Sequence, residues 1–168
     1  ATSYAHRFDA DNDEATGVIG GQEEGVPAYW KNSIDIAHAW EQTLAVADTP
    51  HSWKVALRTA MVMAPDKGGI FDVLHRLMRF GLGGAVGGGK QYVSWIHGTD
   101  FARALAFIAE RDDIHGAVNL SAPHTLSQAD FQKALRTAMG VSGGLPATRW
   151  MAEIGAFFLR TDTELLLK

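Results

Sequence analysis

The 168-residue chain has no cysteine, which removes disulfide bridges and thiolate-held metals from the start. It has no 18-residue apolar run and no signal-peptide pattern, so neither a membrane span nor a secretory leader is expected, and a cytoplasmic setting is the default. Basic charge is also short. Fifteen Lys and Arg stand against 19 Asp and Glu, a net charge of −4, and no basic stripe appears. A nucleic-acid surface requires the opposite balance. No internal repeat or low-complexity segment occurs. No G-x-G-x-x-G follows an apolar strand, so the dinucleotide fingerprint is missing. The chain opens on Ala1-Thr-Ser-Tyr4 without a methionine and closes on Leu165-Leu-Leu-Lys168 without a helix C-cap signal, which reads as a piece of a longer polypeptide.

Against these absences stands a surplus of glycine. Six glycines fall between Gly81 and Gly89, followed by Lys90, Gln91 and a short apolar strand. Glycine has the largest backbone entropy cost, so such a cluster implies tight turns, close backbone approach, or a wall of a ligand site.

The remaining pattern alternates strands with helices, an α/β arrangement. Residues 5–32 read as a long acidic surface loop. Asn32 or Ser33 then caps a helix to Ala47 with Ile34, Ala37, Trp40 and Leu44 as its apolar face. Trp53 to Met63 is apolar enough for a buried, parallel strand. Helices follow over Ile70–Phe80, from Thr99 or Asp100 onward, and after a Ser127 cap. Strands occupy Gln91–Ile96 and Gly116–Ser121. A last helix after Pro146 carries Trp150, Ile154, Phe157 and Phe158, an apolar stripe able to drive self-association where exposed. Three convincing strands are fewer than the five or so of an ordinary sheet.

Within this frame, Arg58 and Thr59 interrupt an apolar strand. A charge there needs a partner, either Asp66 or Glu41 or a bound ligand. His6, Asp9, Asp11 and Asp13 only partly mimic a calcium loop, with its glycine and closing glutamate misplaced, so no metal is expected. Asp100 suits a helix N-terminus, and His97 and Trp95 read as structural or as ligand contacts.

The runs Trp40-Glu41, Val55 to Gly69, Gly81-Leu-Gly-Gly84 with Gly87 and Gly89, Gln91, Ser94-Trp-Ile-His97, Asp100 and Val118 to Pro123 together resemble the extended short-chain dehydrogenase/reductase superfamily. Within it they are most similar to the NAD(P)-dependent sugar-nucleotide epimerase-like subgroup. The resemblance implies the C-terminal part of a Rossmann-like parallel sheet with a small helical substrate lobe. Residues 1–69 would supply late Rossmann elements and the acidic loop, and residues 70–168 a substrate-lobe-like region. It further implies NADP or NAD held mainly by an N-terminal half outside this chain, and a small-molecule substrate, a sugar nucleotide or related alcohol. By the same likeness Ser3 and Tyr4 would lie at the reacting centre. Arg58, Thr59, Ala60 and Val62 would line the cofactor, and Lys90, Gln91, Trp95 and His97 the substrate. One departure is plain: the Tyr-x-x-x-Lys pair of the superfamily, an acid/base tyrosine tuned by a lysine, occurs nowhere. Tyr29 and Lys31 are only two apart and do not share a helix face.

Overall fold

The computed structural model describes residues 3–5, 7, 11–24, 26 and 28–146. In chain order the elements are α1 (Ala28–Val46), β1 (Val55–Thr59), β2 (Met61–Met63), α2 (Ile70–Arg79), β3 (Tyr92–Val93), β4 (Trp95–His97), α3 (Gly98–Ala109), β5 (Gly116–Leu120), β6 (Leu126–Ser127) and α4 (Gln128–Ala138). They pair as β1–β5, β2–β4 and β3–β6. The final helix expected after Pro146 lies outside the described residues. The chain divides into two interleaved compact units, Ala1–Met61 with Gly98–Ser121, and Val62–His97 with Ala122–Lys168.

In the first unit β1 and β5 run parallel, with Arg58 opposite Asn119 and Thr59 opposite Leu120. The expected parallel strand is therefore present, but it breaks at Ala60 and is half-buried along its whole length rather than buried. A parallel strand is fully buried when strands flank it and helices cover both faces. Among the described residues β5 is its only strand neighbour.

Helix α1 begins at Ala28, before the expected Asn32 or Ser33 cap. Its inner face is set by Trp30 and Ile34, 6% and 3% exposed, with Ala37 and Glu41 continuing the same side at i+7 and i+11 from Trp30. Trp40 and Leu44, expected to face the core, instead lie outward at 73% and 37% exposure. The tryptophan nearly three turns nearer the N-terminus won the core position and rotated the helix accordingly. Lys54 donates to the carbonyls of Ala45 and Ala47, satisfying the free acceptors at the helix end.

The acidic loop is on the surface but fastened. Tyr4 forms an antiparallel bridge with Ile19, Ala5 N–H donates to Val18, and Gly20 N–H donates to Ser3. A Cβ at Gly17 would collide with the Tyr4 ring, so glycine there permits the loop to close on the aromatic. Asp13 accepts from Thr16 and Ala15, and these hydrogen bonds, Thr16 first, hold its carboxyl below the ordinary range.

In the second unit the glycine cluster acquires local causes. Gly81, φ +74°, ends α2, with Leu82 N–H returning to Leu77. Gly83 and Gly84 lie against residues 144–146. Gly84 N–H donates to Leu145, Leu145 N–H donates to Gly81, and a Cβ at Gly144 would stand 2.6 Å from the Gly83 carbonyl carbon. Gly87 and Gly88 are the central residues of a turn closed by Gly89 N–H to Val86, both with positive φ, as a type I′ turn requires. Gly89 packs on Ala129 at the start of α4. Ser127 caps α4 as expected, its hydroxyl accepting from Asp130 N–H.

Close packing and turn geometry make different demands on these glycines, and substitution separates them. Gly84→Ala places a methyl inside the Leu145 carbonyl and is expected to cost about 1–3 kcal/mol by overpacking. Gly88→Asn meets open space and carries only the strain of a positive φ, which asparagine bears better than most residues, so it is expected to cost about 1 kcal/mol or less. Urea denaturation of both variants checks the order, and equal costs would count against the packing account.

Candidate functional site

Arg58 is the centre of the first unit's polar architecture. Its side chain is 11% exposed and reaches Glu41 on α1 through two bonds, Nε to Oε1 and Nη2 to Oε2, each 2.8 Å. Nη1 donates to the Tyr4 hydroxyl at 2.8 Å, and the guanidinium carbon lies 5.0 Å from the Tyr4 ring centroid. Tyr4 in turn donates to Asn119 Oδ1 at 2.9 Å. Asn119, opposite Arg58 on β5, is itself anchored by the acidic loop. Its N–H donates to Glu14 and its Nδ2 to the Asn12 carbonyl.

The charge on β1 is thus compensated from α1, and of the two partners open to it the structure takes Glu41 rather than Asp66. The hydrogen bond from Arg58 holds the Glu41 carboxyl below the ordinary range against the opposing effect of burial. The same bond, with help from Tyr4, keeps the guanidinium protonated beyond its usual strength.

Ser3 and Tyr4 therefore meet different fates. Ser3 contributes its backbone carbonyl to the Gly20 bond, and Tyr4 is 5% exposed with its hydroxyl both donating and accepting. Of Arg58, Thr59, Ala60 and Val62, only Arg58 is brought against Tyr4. Ala60 is buried, its N–H donating to the Leu120 carbonyl at 2.8 Å, while Thr59 and Val62 are half-buried on β1 and β2. In the second unit Gln91 is buried and its Nε2 donates to the Val86 carbonyl, while Gln128 Oε1 accepts from Val86 N–H. Two glutamines 37 positions apart thus take both backbone groups of the residue that opens the glycine turn. Lys90 and His97 are exposed. Trp95 is half-buried against Phe131, with ring centroids 6.4 Å apart and its indole N–H buried without a partner.

Asn119 and Gln128 were not read as important from the sequence. Asn119 carried a signal all the same, a carboxamide inside the apolar run GAVNL. Among the described residues no cluster of three or more His, Asp or Glu is arranged for a metal, and His6 and Asp9 lie outside them. No helix among them is long and apolar enough to cross a membrane.

These residues do not assemble a dinucleotide cradle. Three of the five N–H donors of Arg58, one on each nitrogen, are committed to Glu41 and Tyr4, and no strand leads into a glycine fingerprint. What the site offers is a rigid junction of helix, strand and loop.

No protein-family model matches the sequence. Individual proteins do. The epimerase family protein MT2273 of Mycobacterium tuberculosis is 35% identical over 100 residues, 60% of this chain and 33% of the relative. The human epimerase family protein SDR39U1 is 32% identical over 115 residues, 68% of this chain and 38% of the relative. The crystal structure of human SDR39U1 isoform 2 with NADPH superposes on 99% of this chain with a TM-score of 0.80 and 27% identity. The chain belongs to the epimerase family of the extended short-chain dehydrogenase/reductase superfamily. It spans about half the length of that solved human chain, 52%. The wider epimerase fold extends to the UDP-glucose 4-epimerase of Thermus thermophilus, with a TM-score of 0.61 over 87% of this chain at 17% identity. The α/β, Rossmann-like class expected from the sequence is the class of this epimerase family.

The junction makes a direct prediction for stability. Glu41→Gln removes the charge from a largely buried pair and is expected to cost about 1.5–3 kcal/mol at neutral pH. Because the folded-state carboxyl titrates below its reference value of 4.5, this stabilisation is present above pH 4.5 and is lost as pH falls through the folded value. The gap between wild type and Glu41→Gln in chemical denaturation should therefore close in acid. A gap that stays constant from pH 7 to about pH 3 would sink the assignment.

Proposed function

We propose that this chain is the C-terminal portion of a NAD(P)-dependent epimerase- or reductase-like protein acting on a sugar nucleotide or related alcohol. The observation that carries the reading is the superposition of nearly the entire chain on a family member solved with NADPH. Two physical features support it. A parallel pair such as β1–β5, half-buried and two strands wide among the described residues, fits part of a wider sheet, because parallel sheets are stable when several strands are covered on both faces. The lack of a cofactor cradle in these residues fits a protein whose nicotinamide nucleotide, NADP or NAD, is held mainly by an N-terminal half. When bound, that nucleotide would supply hydride transfer. This chain would contribute the wall of the substrate lobe, with Lys90, Gln91, Trp95 and His97 as the residues nearest the substrate and Ser3, Tyr4, Thr59, Ala60 and Val62 toward the cofactor. A cytoplasmic setting accompanies this reading.

A second reading is a nucleotide-binding or structural module that has lost catalysis. It is favoured by a specific observation. No Tyr-x-x-x-Lys exists, Lys31 is an exposed partner of Asp35, and the Tyr4 hydroxyl is engaged on both sides.

Two measurements on the full polypeptide that contains this chain separate the readings. NADPH titration followed by nucleotide fluorescence is expected to show binding under both, and no binding at about millimolar cofactor would reject both, since that concentration exceeds ordinary dissociation constants. Turnover of UDP- and dTDP-sugars, followed by epimer formation or nicotinamide absorbance, is expected under the first alone. Binding without turnover selects the second.

A further inference from the structure

We propose that the acidic loop guards the open edge of β5 and keeps it from pairing with the same edge of a second copy. The ladder to β1 fixes which backbone groups of β5 stand on each side. Gly116 N–H donates to the Lys54 carbonyl, and the Leu120 carbonyl accepts from Ala60 N–H, so Gly116, Val118 and Leu120 turn their backbone toward β1. Ala117 and Asn119 turn theirs away, and among the described residues β1 is the only strand beside β5. On that open side the Asn119 N–H donates to the Glu14 carboxylate. The Asn119 side chain holds the same stretch of loop, its Nδ2 donating to the Asn12 carbonyl at 3.2 Å. Glu14 is placed by a tight turn. The Asp13 side chain accepts from the N–H groups of Ala15 and Thr16, and Gly17 N–H donates to the Asp13 carbonyl. The Tyr4–Ile19 bridge ties the loop back to the body of the unit.

An open row of N–H and C=O groups is a template for another strand, and the β5 sequence GAVNL has neither charge nor proline to discourage one. A second copy offers a matched template. In an antiparallel pair with its two-fold axis at Val118, Ala117 of each copy stands opposite Asn119 of the other, and each such pair exchanges two hydrogen bonds. Glu14 occupies the Asn119 donor that both pairs need. It also sets a carboxylate on the edge, with Asp11 and Asp13 close by in sequence and all three exposed. An identical loop on an approaching copy would bring like charges to the same place, which opposes pairing.

The test uses the full polypeptide that contains this chain and starts from Glu14→Ala. Amide hydrogen exchange followed by NMR is expected to be at least about tenfold faster at Asn119, while Val118 and Leu120, whose N–H groups face β1, keep the wild-type rate. Sedimentation velocity at about 100 μM is expected to show association beyond the wild-type state. Glu14→Gln, whose amide oxygen accepts the same N–H, is expected to keep Asn119 protected. Ala117→Pro added to Glu14→Ala removes an outward donor and is expected to abolish the extra association. Ala117→Lys in the same background is expected to do so with the backbone left intact. Wild-type exchange at Asn119 in Glu14→Ala overturns the proposal, since something other than Glu14 then holds or covers the edge. So does faster exchange there without association. So does Glu14→Gln that exchanges as fast as Glu14→Ala, and so does association that persists in both double variants.

Discussion

The first unit is organised by one half-buried charge and its compensation. Arg58 sits in the middle of an apolar parallel strand, where an unpaired guanidinium is costly to bury. Its solution recruits three separate parts of the chain. Glu41 comes from α1, Tyr4 from the N-terminal segment, and Asn119 from the neighbouring strand through Tyr4. The rotation of α1 follows from the same demand. Glu41 reaches Arg58 only if the helix turns Trp30 and Ile34 inward, and that turn sends Trp40 to the surface. The acidic loop is fastened by the same set, since Asn119 also donates to the Glu14 carboxylate and the Asn12 carbonyl. Acidic residues that looked merely solvated therefore help close the far side of β5.

Glycine governs the second unit in a comparable way, but through the lack of a side chain. Space at Gly83 is taken by the Met78 side chain and at Gly84 and Gly144 by backbone, and the left-handed turn at Gly87 and Gly88 is closed by Val86 and Gly89. The turn is then fixed from both sides, Gln91 on the Val86 carbonyl and Gln128 on its N–H. Buried carboxamides are retained only when their hydrogen bonds are made, so both side chains are committed to shape. The cluster that suggested a ligand wall is thus accounted for by chain packing, and its chemical interest moves to the exposed Lys90 that the rigid turn presents.

Much of this was legible in the sequence because it is local. The Ser127 cap, the helix over Ile70–Arg79 and the parallel character of the segment around Leu57 follow from short-range signals. Arg58 announced its need for a partner, and Glu41 was one of two named. Elements fixed by distant competition were not legible. Trp30 and Trp40 each offer an apolar face at helical spacing, and only the position of Arg58 decides between them. Asn119 looked like a strand residue because its three partners come from more than 100 positions away. Gln128 appeared as an ordinary first-turn polar residue because its acceptance from Val86 N–H depends on a turn 42 positions earlier.

The missing Tyr-x-x-x-Lys pair gains meaning from α1. In the superfamily pattern that helix carries a tyrosine and lysine one turn apart on the side that meets the cofactor. Here Lys31 sits on the flank with Asp35, and the inward side is spent on Trp30, Ile34 and the carboxylate that neutralises Arg58. The helix that elsewhere delivers an acid/base pair has in this chain become a clamp for a strand cation. A clamp of that kind fixes geometry without presenting a titrating group to solvent or substrate. A proton carrier for hydride chemistry would therefore have to come from another element; Lys90 and His97 are among the many described polar residues exposed to solvent.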